Sequence, residues 1–184
     1  MSTLDNPNET IDPKEVSPWP TVLRFGLIGG LSLILYSLLS IITGYLSPSS
    51  GVSGVIINFL LTIVIVGIFT IVGVLGYRNN DLSGKINFRR AYLVGGCIIF
   101  IMNMIAVIFS VIYMNYIDPS YADQMINESI AMYEKMGLNE KQIEQAIVNL
   151  EESSLVINAL KNGLLFSIVF SLIGGFFVSI LTKN

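Results

Sequence analysis

Between Phe25 and Tyr77 the chain runs for 53 residues without a charged side chain. A run this long has no face to show to water, so a soluble domain cannot hold it. Its one interruption is small and polar, Ser47-Pro48-Ser49-Ser50-Gly51, which divides it into two apolar segments joined by a turn. Roughly 20 apolar residues, each rising about 1.5 Å, cross a hydrocarbon core of about 30 Å. Two more such runs follow, near Ala91–Tyr113 and Ala159–Leu181. The expected fold is all-α, an integral membrane four-helix bundle with spans at about 23–46, 55–77, 91–113 and 159–181. Residues 1–20 read as a disordered tail, 21–182 as the membrane domain, and 114–158 as a helical segment outside the bilayer.

No piece outside the spans is long enough to build a large core of its own, which is marginal below about 40–50 residues. Segment 114–158 must therefore be helical and lean on the bundle or on a partner. The chain has no His, the side chain most used for acid–base work near neutral pH and the commonest metal ligand. Its single Cys, Cys97, lies in an apolar run, so neither an intrachain disulfide nor a Cys-based zinc site is possible. No catalytic, cofactor-binding or metal-binding residues are expected, no cofactor, no enzymatic activity and no nucleic-acid partner. The first 20 residues carry Asp5, Glu9, Asp12 and Glu15 against Lys14 alone, the wrong charge for a secretory signal. Pro7, Pro13, Pro18 and Pro20 make the tail irregular.

Lys and Arg near span ends set topology. Arg78, Lys85, Arg89 and Arg90 crowd the loop between spans two and three; Lys14, Arg24 and Lys183 fall on the same side. Only Lys135, Lys141 and Lys161 lie on the other. The expectation is a multi-pass protein of the cytoplasmic (inner) membrane, with both termini and residues 78–90 cytoplasmic and 114–158 extracytoplasmic. Tyr45, Tyr77, Tyr92, Tyr113 and Trp19 fall near span ends, where amphipathic rings favour the headgroup region.

Small residues are patterned. Leu-Ile/Val-Gly-Gly occurs at Leu27–Gly30, Leu93–Gly96 and Leu172–Gly175, so Gly95, Gly96, Gly174 and Gly175 belong to one motif. Gly26 and Gly30 are four apart, and Gly163, Ser167, Ser171, Gly175 and Ser179 form a stripe along span four. Lipid supplies no hydrophobic drive for helix association, so close approach over small residues does the packing. The stripe is expected to face the glycines of span one; a hinge or ligand cleft at these glycines is the alternative. Polar residues inside the spans are few. Asn103 lies mid-span, seven residues from both Gly96 and Ser110, so the three share roughly one face. Asn58 and Thr62 share a face of span two. Interhelical hydrogen bonding and solute binding both remain open for them. No span has Asp, Glu, Lys or Arg in its interior, where proton relays and charge-coupled pumps place them.

Residues 114–158 carry eight acids and two lysines and read as a helical hairpin. Asp118-Pro119 looks like N-cap and N1 of a helix running to Met136 and ended by Gly137. Asn139 with Gln142 forms a capping box for a second helix. Ile143, Ala146, Ile147 and Leu150 make the apolar stripe of the second helix; Met125, Met132, Tyr133 and Met136 help form that of the first. Between Glu152 and Lys161 there is no Gly or Pro, so the second helix can continue into span four.

Tyr77-Arg78 leaving span two, Gly84-Lys85-Ile86-Asn87-Phe88 leading through Ala91 to Gly95, and Tyr116-Ile117-Asp118-Pro119 after span three resemble a bacterial membrane family called domain of unknown function 4199. The resemblance covers about residues 20–182 and implies a four-helix inner-membrane protein with no assigned activity and no catalytic residues to carry over. The leading functional expectation is a non-enzymatic assembly or interaction protein of the cell envelope. Its partners are the lipid bilayer and either a second copy or another envelope protein. The alternative is a subunit of an oligomeric small-solute channel or transporter.

Overall fold

The computed structural model describes residues 16–44, 51–154 and 156–182. Six α-helices run through the described residues: α1 Trp19–Thr43, α2 Gly51–Gly76, α3 Phe88–Ile112, α4 Ser120–Lys135, α5 Glu140–Ser154 and α6 Val156–Thr182. The fold is all-α. Helices α1, α2, α3 and α6 are long and apolar enough to span a membrane, and α4–α5 lie between spans three and four.

The helix ends correct the expected boundaries, each for a local reason. α1 starts at Trp19, inside the expected tail, because Pro18 and Pro20 sit at its N-cap and first turn, where a missing N–H costs nothing. Residues 1–15 of that tail lie outside the described residues. α1 stops at Thr43, before the expected 46: Gly44 turns left-handed at φ 60° and its N–H bonds back to the Ser40 carbonyl at 3.1 Å. Tyr45 and most of the turn after it are outside the described residues; Gly51 already opens α2. α3 starts at Phe88 rather than 91, since the Asn87 side chain caps it by accepting the Arg90 backbone N–H at 2.8 Å. Past the expected ends at 77 and 113, α2 and α3 continue as single π-helical turns, Tyr77–Asp81 and Tyr113–Ile117. The second closes with Asp118 N–H donating to the Tyr113 carbonyl at 2.8 Å.

The spans alternate in direction. Gly26 and Gly30 of α1 face Ile101 and Ile105 of α3 in the same order, so these two run parallel. Gly163 faces Val107 while Gly175 faces Tyr92, so α6 runs antiparallel to α3. α1 and α6 lie on opposite sides of α3, with α2 alongside. The fully buried side chains, among them Val22, Val74, Tyr77, Val94, Ile98 and Met102, concentrate in the half that ends at residues 78–90. Toward the α4–α5 end the spans are less filled, and α4 packs across there against α2.

The hairpin follows its sequence closely. Gly137 takes φ 77° after α4. Asn139 Oδ1 accepts the Gln142 N–H at 2.9 Å, and Gln142 Oε1 accepts the Asn139 N–H at 3.0 Å, both halves of the capping box. Asp118 is not the N-cap of α4. Pro119 holds that position, and the Asp118 carboxylate accepts the Ser120 hydroxyl at 2.6 Å instead. α4 ends at Lys135, and Met136 is 55% exposed, off any apolar stripe. The join of α5 to α6 at Leu155 lies outside the described residues.

Candidate functional site

Three features are candidates: a seam of small residues, a joint at the 78–90 end and a cleft under α4. The seam has α3 at its centre. Ser167, Ser171, Gly175 and Ser179 of α6 are buried, with Gly163 half-buried. Ser167, Ser171 and Ser179 return their hydroxyl hydrogens to carbonyls of their own helix, those of Gly163, Ile168 and Phe176 at 2.7–2.8 Å. They therefore behave as small residues and need no partner across the interface. The stripe meets α3 and not the glycines of span one. A Cβ built on Gly175 would stand 3.0 Å from the Tyr92 carbonyl oxygen, and one on Gly174 would stand 2.6 Å from Ile99 Cδ1. Gly96 lies on the same seam, 3.4 Å from the Ser171 carbonyl oxygen by the same construction; Gly95 makes ordinary contact with Val178 and Thr70. The glycines of α1 instead receive bulky side chains from the opposite side of α3. Ile101 fills the notch at Gly26, Met102 that at Gly29 and Ile105 that at Gly30. Gly96, Asn103 and Ser110 all lie on α3, seven residues apart, but meet different surroundings along it: Ser110 is exposed, Gly96 meets α6, and Asn103 borders the cleft.

At the 78–90 end the side chains that carry the family resemblance form a joint. Tyr77 is fully buried, and its hydroxyl donates to the Val16 carbonyl at 2.7 Å. Arg90 lies over the Tyr77 ring, its Cζ 5.4 Å from the centroid, and donates to the Tyr77 hydroxyl and to the same Val16 carbonyl. Arg78 reaches the other way and donates to the Thr182 carbonyl at the end of α6, at 3.0 Å. One pair of arginines thus fastens the start of α1, the end of α2, the start of α3 and the end of α6. A planar guanidinium suits this work, combining stacking with several fixed donors.

The cleft is at the other end, between the outer halves of α1, α2 and α3, roofed by α4, with a volume of about 480 Å³. Asn58, Thr62 and Asn103, three residues of two different spans, all line it. Tyr36 of α1 donates its hydroxyl to Asn58 Oδ1 at 2.6 Å, and Thr62 donates to the Asn58 carbonyl at 2.9 Å. Asn103 is only 7% exposed. Its Nδ2 donates to the Ile99 carbonyl at 3.0 Å, while its Oδ1 accepts nothing among the described residues. No fully enclosed side-chain polar atom among the described residues lacks a partner, so that oxygen opens to the cleft. The roof is one face of α4: Tyr121, Gln124, Met125 and Glu128 recur at i, i+3, i+4 and i+7. Tyr121 packs edge-on against Tyr113, with centroids 5.4 Å apart. Burial raises the Tyr121 phenol above its ordinary value, helped by Glu128, Tyr113 and Asp118, so it stays protonated at neutral pH.

The sequence marks out the two asparagines and Thr62 but not Tyr36, Asp118, Tyr121 or Glu128 as their neighbours. One signal was available. Tyr36 is a polar-tipped ring near the middle of a run rather than at its end, and such a hydroxyl needs a partner.

Residues 24–184 match the family described as protein of unknown function DUF4199, and the chain belongs to that family. No curated protein and no solved structure gives a significant match.

Proposed function

We propose that this DUF4199 protein is a non-enzymatic membrane protein whose working part is the cleft beneath α4, which binds a small polar solute. The observation that carries this is Asn103: a side chain more than nine-tenths buried, deep in a membrane helix, with a carbonyl oxygen open to a cavity of about 480 Å³. An unused polar atom at that depth is costly unless something wets or fills the space beside it. Below Asn103 the bundle is closed by Met102, Ile98, Thr70 and Val74, all fully buried. The cleft is therefore blind, which suits a receptor, or one face of a transporter, better than a standing pore.

Among the described basic residues Arg24, Arg78, Lys85, Arg89 and Arg90 lie toward the 78–90 end, against Lys135, Lys141 and Lys161 toward the other. On that bias the joint faces the cytoplasm of an inner membrane and the cleft opens outward. Reporter fusions after Ser50 and Glu140 check this orientation; a cytoplasmic signal from either would reverse it. A melting-temperature screen of the protein in nanodiscs against amines, polyols and carboxylates tests the binding. Some solute should stabilise the wild type, and Ser37→Phe, which fills the cleft from α1, should abolish the effect. No stabilisation by any of them would overturn the reading.

A second reading, self-assembly or assembly with another envelope protein, has one observation behind it. Gly67 lies mid-span on α2, and a Cβ built there meets nothing within 4 Å. α2 is also the least enclosed span, only 11% of its most apolar stretch being buried against 28% for α6. Gly67 thus leaves a notch on an open flank, a place where a helix of another chain can approach closely.

A further inference from the structure

We infer that the cleft takes an organic ammonium group, a primary amine on a short apolar body; this rests on the solute-binding reading above. The charges that border the cleft have one sign. Asp118 and Glu128 line it at the α4 end, and none of its described lining residues is basic. Glu128 pairs with no base and accepts no hydrogen bond among the described residues. Further in, much of the lining offers oxygen lone pairs. Tyr36 and Thr62 have given their hydroxyl hydrogens away, to Asn58 Oδ1 and to the Asn58 carbonyl, which leaves their oxygens as acceptors. Asn103 Oδ1 is a third acceptor and Tyr121 adds an aromatic ring at the roof.

The complementary ligand has donors, positive charge and a body that tolerates Leu33, Ala106 and Met125. An alkylammonium has three donors and no acceptor, which answers this set. A carboxylate or phosphate would face two carboxylates with no cation to meet it. A bare metal ion fits poorly, because no group of three His, Cys, Asp or Glu side chains comes together among the described residues. Aromatic rings beside a cation add attraction of their own. The same ammonium could be borne by a free amine or by an ethanolamine headgroup.

The test uses the full-length protein in phosphatidylcholine nanodiscs, with n-butylammonium, n-butanol and butyrate as probes of one size. Butylammonium should bind most tightly, and more weakly as salt is raised, since part of the attraction is exposed to solvent. Glu128→Gln, a change on the half-buried roof, should weaken it about fivefold while leaving butanol unaffected. Asn103→Asp, which adds an acceptor charge at the floor, should tighten butylammonium. Competition by phosphatidylethanolamine would assign the ammonium to a lipid headgroup, and its absence to a free amine; either outcome supports the inference. Equal binding of butanol or butyrate, or an unchanged affinity in Glu128→Gln, overturns it. Stabilisation by polyols or carboxylates alone would leave the cleft as a solute site but remove the ammonium; no binding by any solute removes both.

Discussion

Gly175 of α6 sits so close to Gly96 of α3 that a Cβ built on Gly175 would stand 3.1 Å from the Gly96 Cα. The obstacle there is backbone. At the neighbouring Gly174 the built Cβ is nearer to its neighbour, 2.6 Å, but that neighbour is Cδ1 of Ile99, the free end of a flexible side chain.

Flexibility of the neighbour therefore decides the outcome, not the distance. Gly175→Ala should cost about 1–3 kcal/mol, the usual range for overpacking, and Gly174→Ala clearly less. Thermal unfolding in mild detergent provides the comparison. The reverse order would mean that α6 can slide on α3 without penalty.

Asn139→Ala removes one half of the capping box that starts α5 and should weaken that helix by about 1 kcal/mol. Hydrogen exchange across residues 140–152 reads the effect. Protection equal to wild type would show that tertiary packing, not the cap, holds the first turn.

Arg90→Lys should behave more like Arg90→Ala than like wild type. An ammonium cannot both stack on Tyr77 and donate to the Tyr77 hydroxyl and the Val16 carbonyl. Either change leaves the Tyr77 hydroxyl and the Val16 carbonyl with only the bond between them, and losing a charged donor costs about 1.5–3 kcal/mol. Faster amide exchange at Val22 and its neighbours is the expected local sign, and exchange unchanged in Arg90→Ala would dismiss the joint.

The hydrogen bond from Tyr36 to Asn58 ties α1 to α2 within the membrane. Such bonds average about 0.6 kcal/mol, so Tyr36→Phe should lower stability only slightly. A larger loss, above about 2 kcal/mol, would mean that the hydroxyl also anchors the cleft wall.

Tyr121 supplies a pH test. Its folded-state pKa is raised above 10.0, so its contribution to stability is complete below pH 10 and is lost as pH rises through the folded value. An ultraviolet titration of Tyr121→Phe should lack one late-ionising tyrosine that the wild type shows. A titration identical in the two proteins would contradict the burial of this ring.

What the chain reveals on reading depends on whether the signal is local. The four spans are legible because a charge-free run of 20 residues has one physical solution, and the Asn139–Gln142 box because its two partners are three residues apart. Small residues announce a close approach without naming the neighbour. Gly26 and Gly30 could as well have met Gly175 as the isoleucines they do meet. Nothing local brings Tyr36, Asn58 and Asn103 to one cavity, because they come from three spans and their meeting depends on how those helices tilt. The π-helical turns at Tyr77 and Tyr113 likewise carry no mark of their own in the sequence.

The placement of α3 between α1 and α6 also bears on how the protein is made. Spans leave the ribosome in order, so α1 and α2 enter the bilayer before the helix that fills the notches at Gly26 and Gly30 has been synthesised. Until then those glycines are covered by acyl chains. A released fragment ending at residue 84 should admit a lipid-phase label beside Gly30, and one ending at residue 118 should exclude it. Assembly of this protein therefore turns on the arrival of its third span, and the two-helix nascent chain is the stage most exposed to membrane quality control.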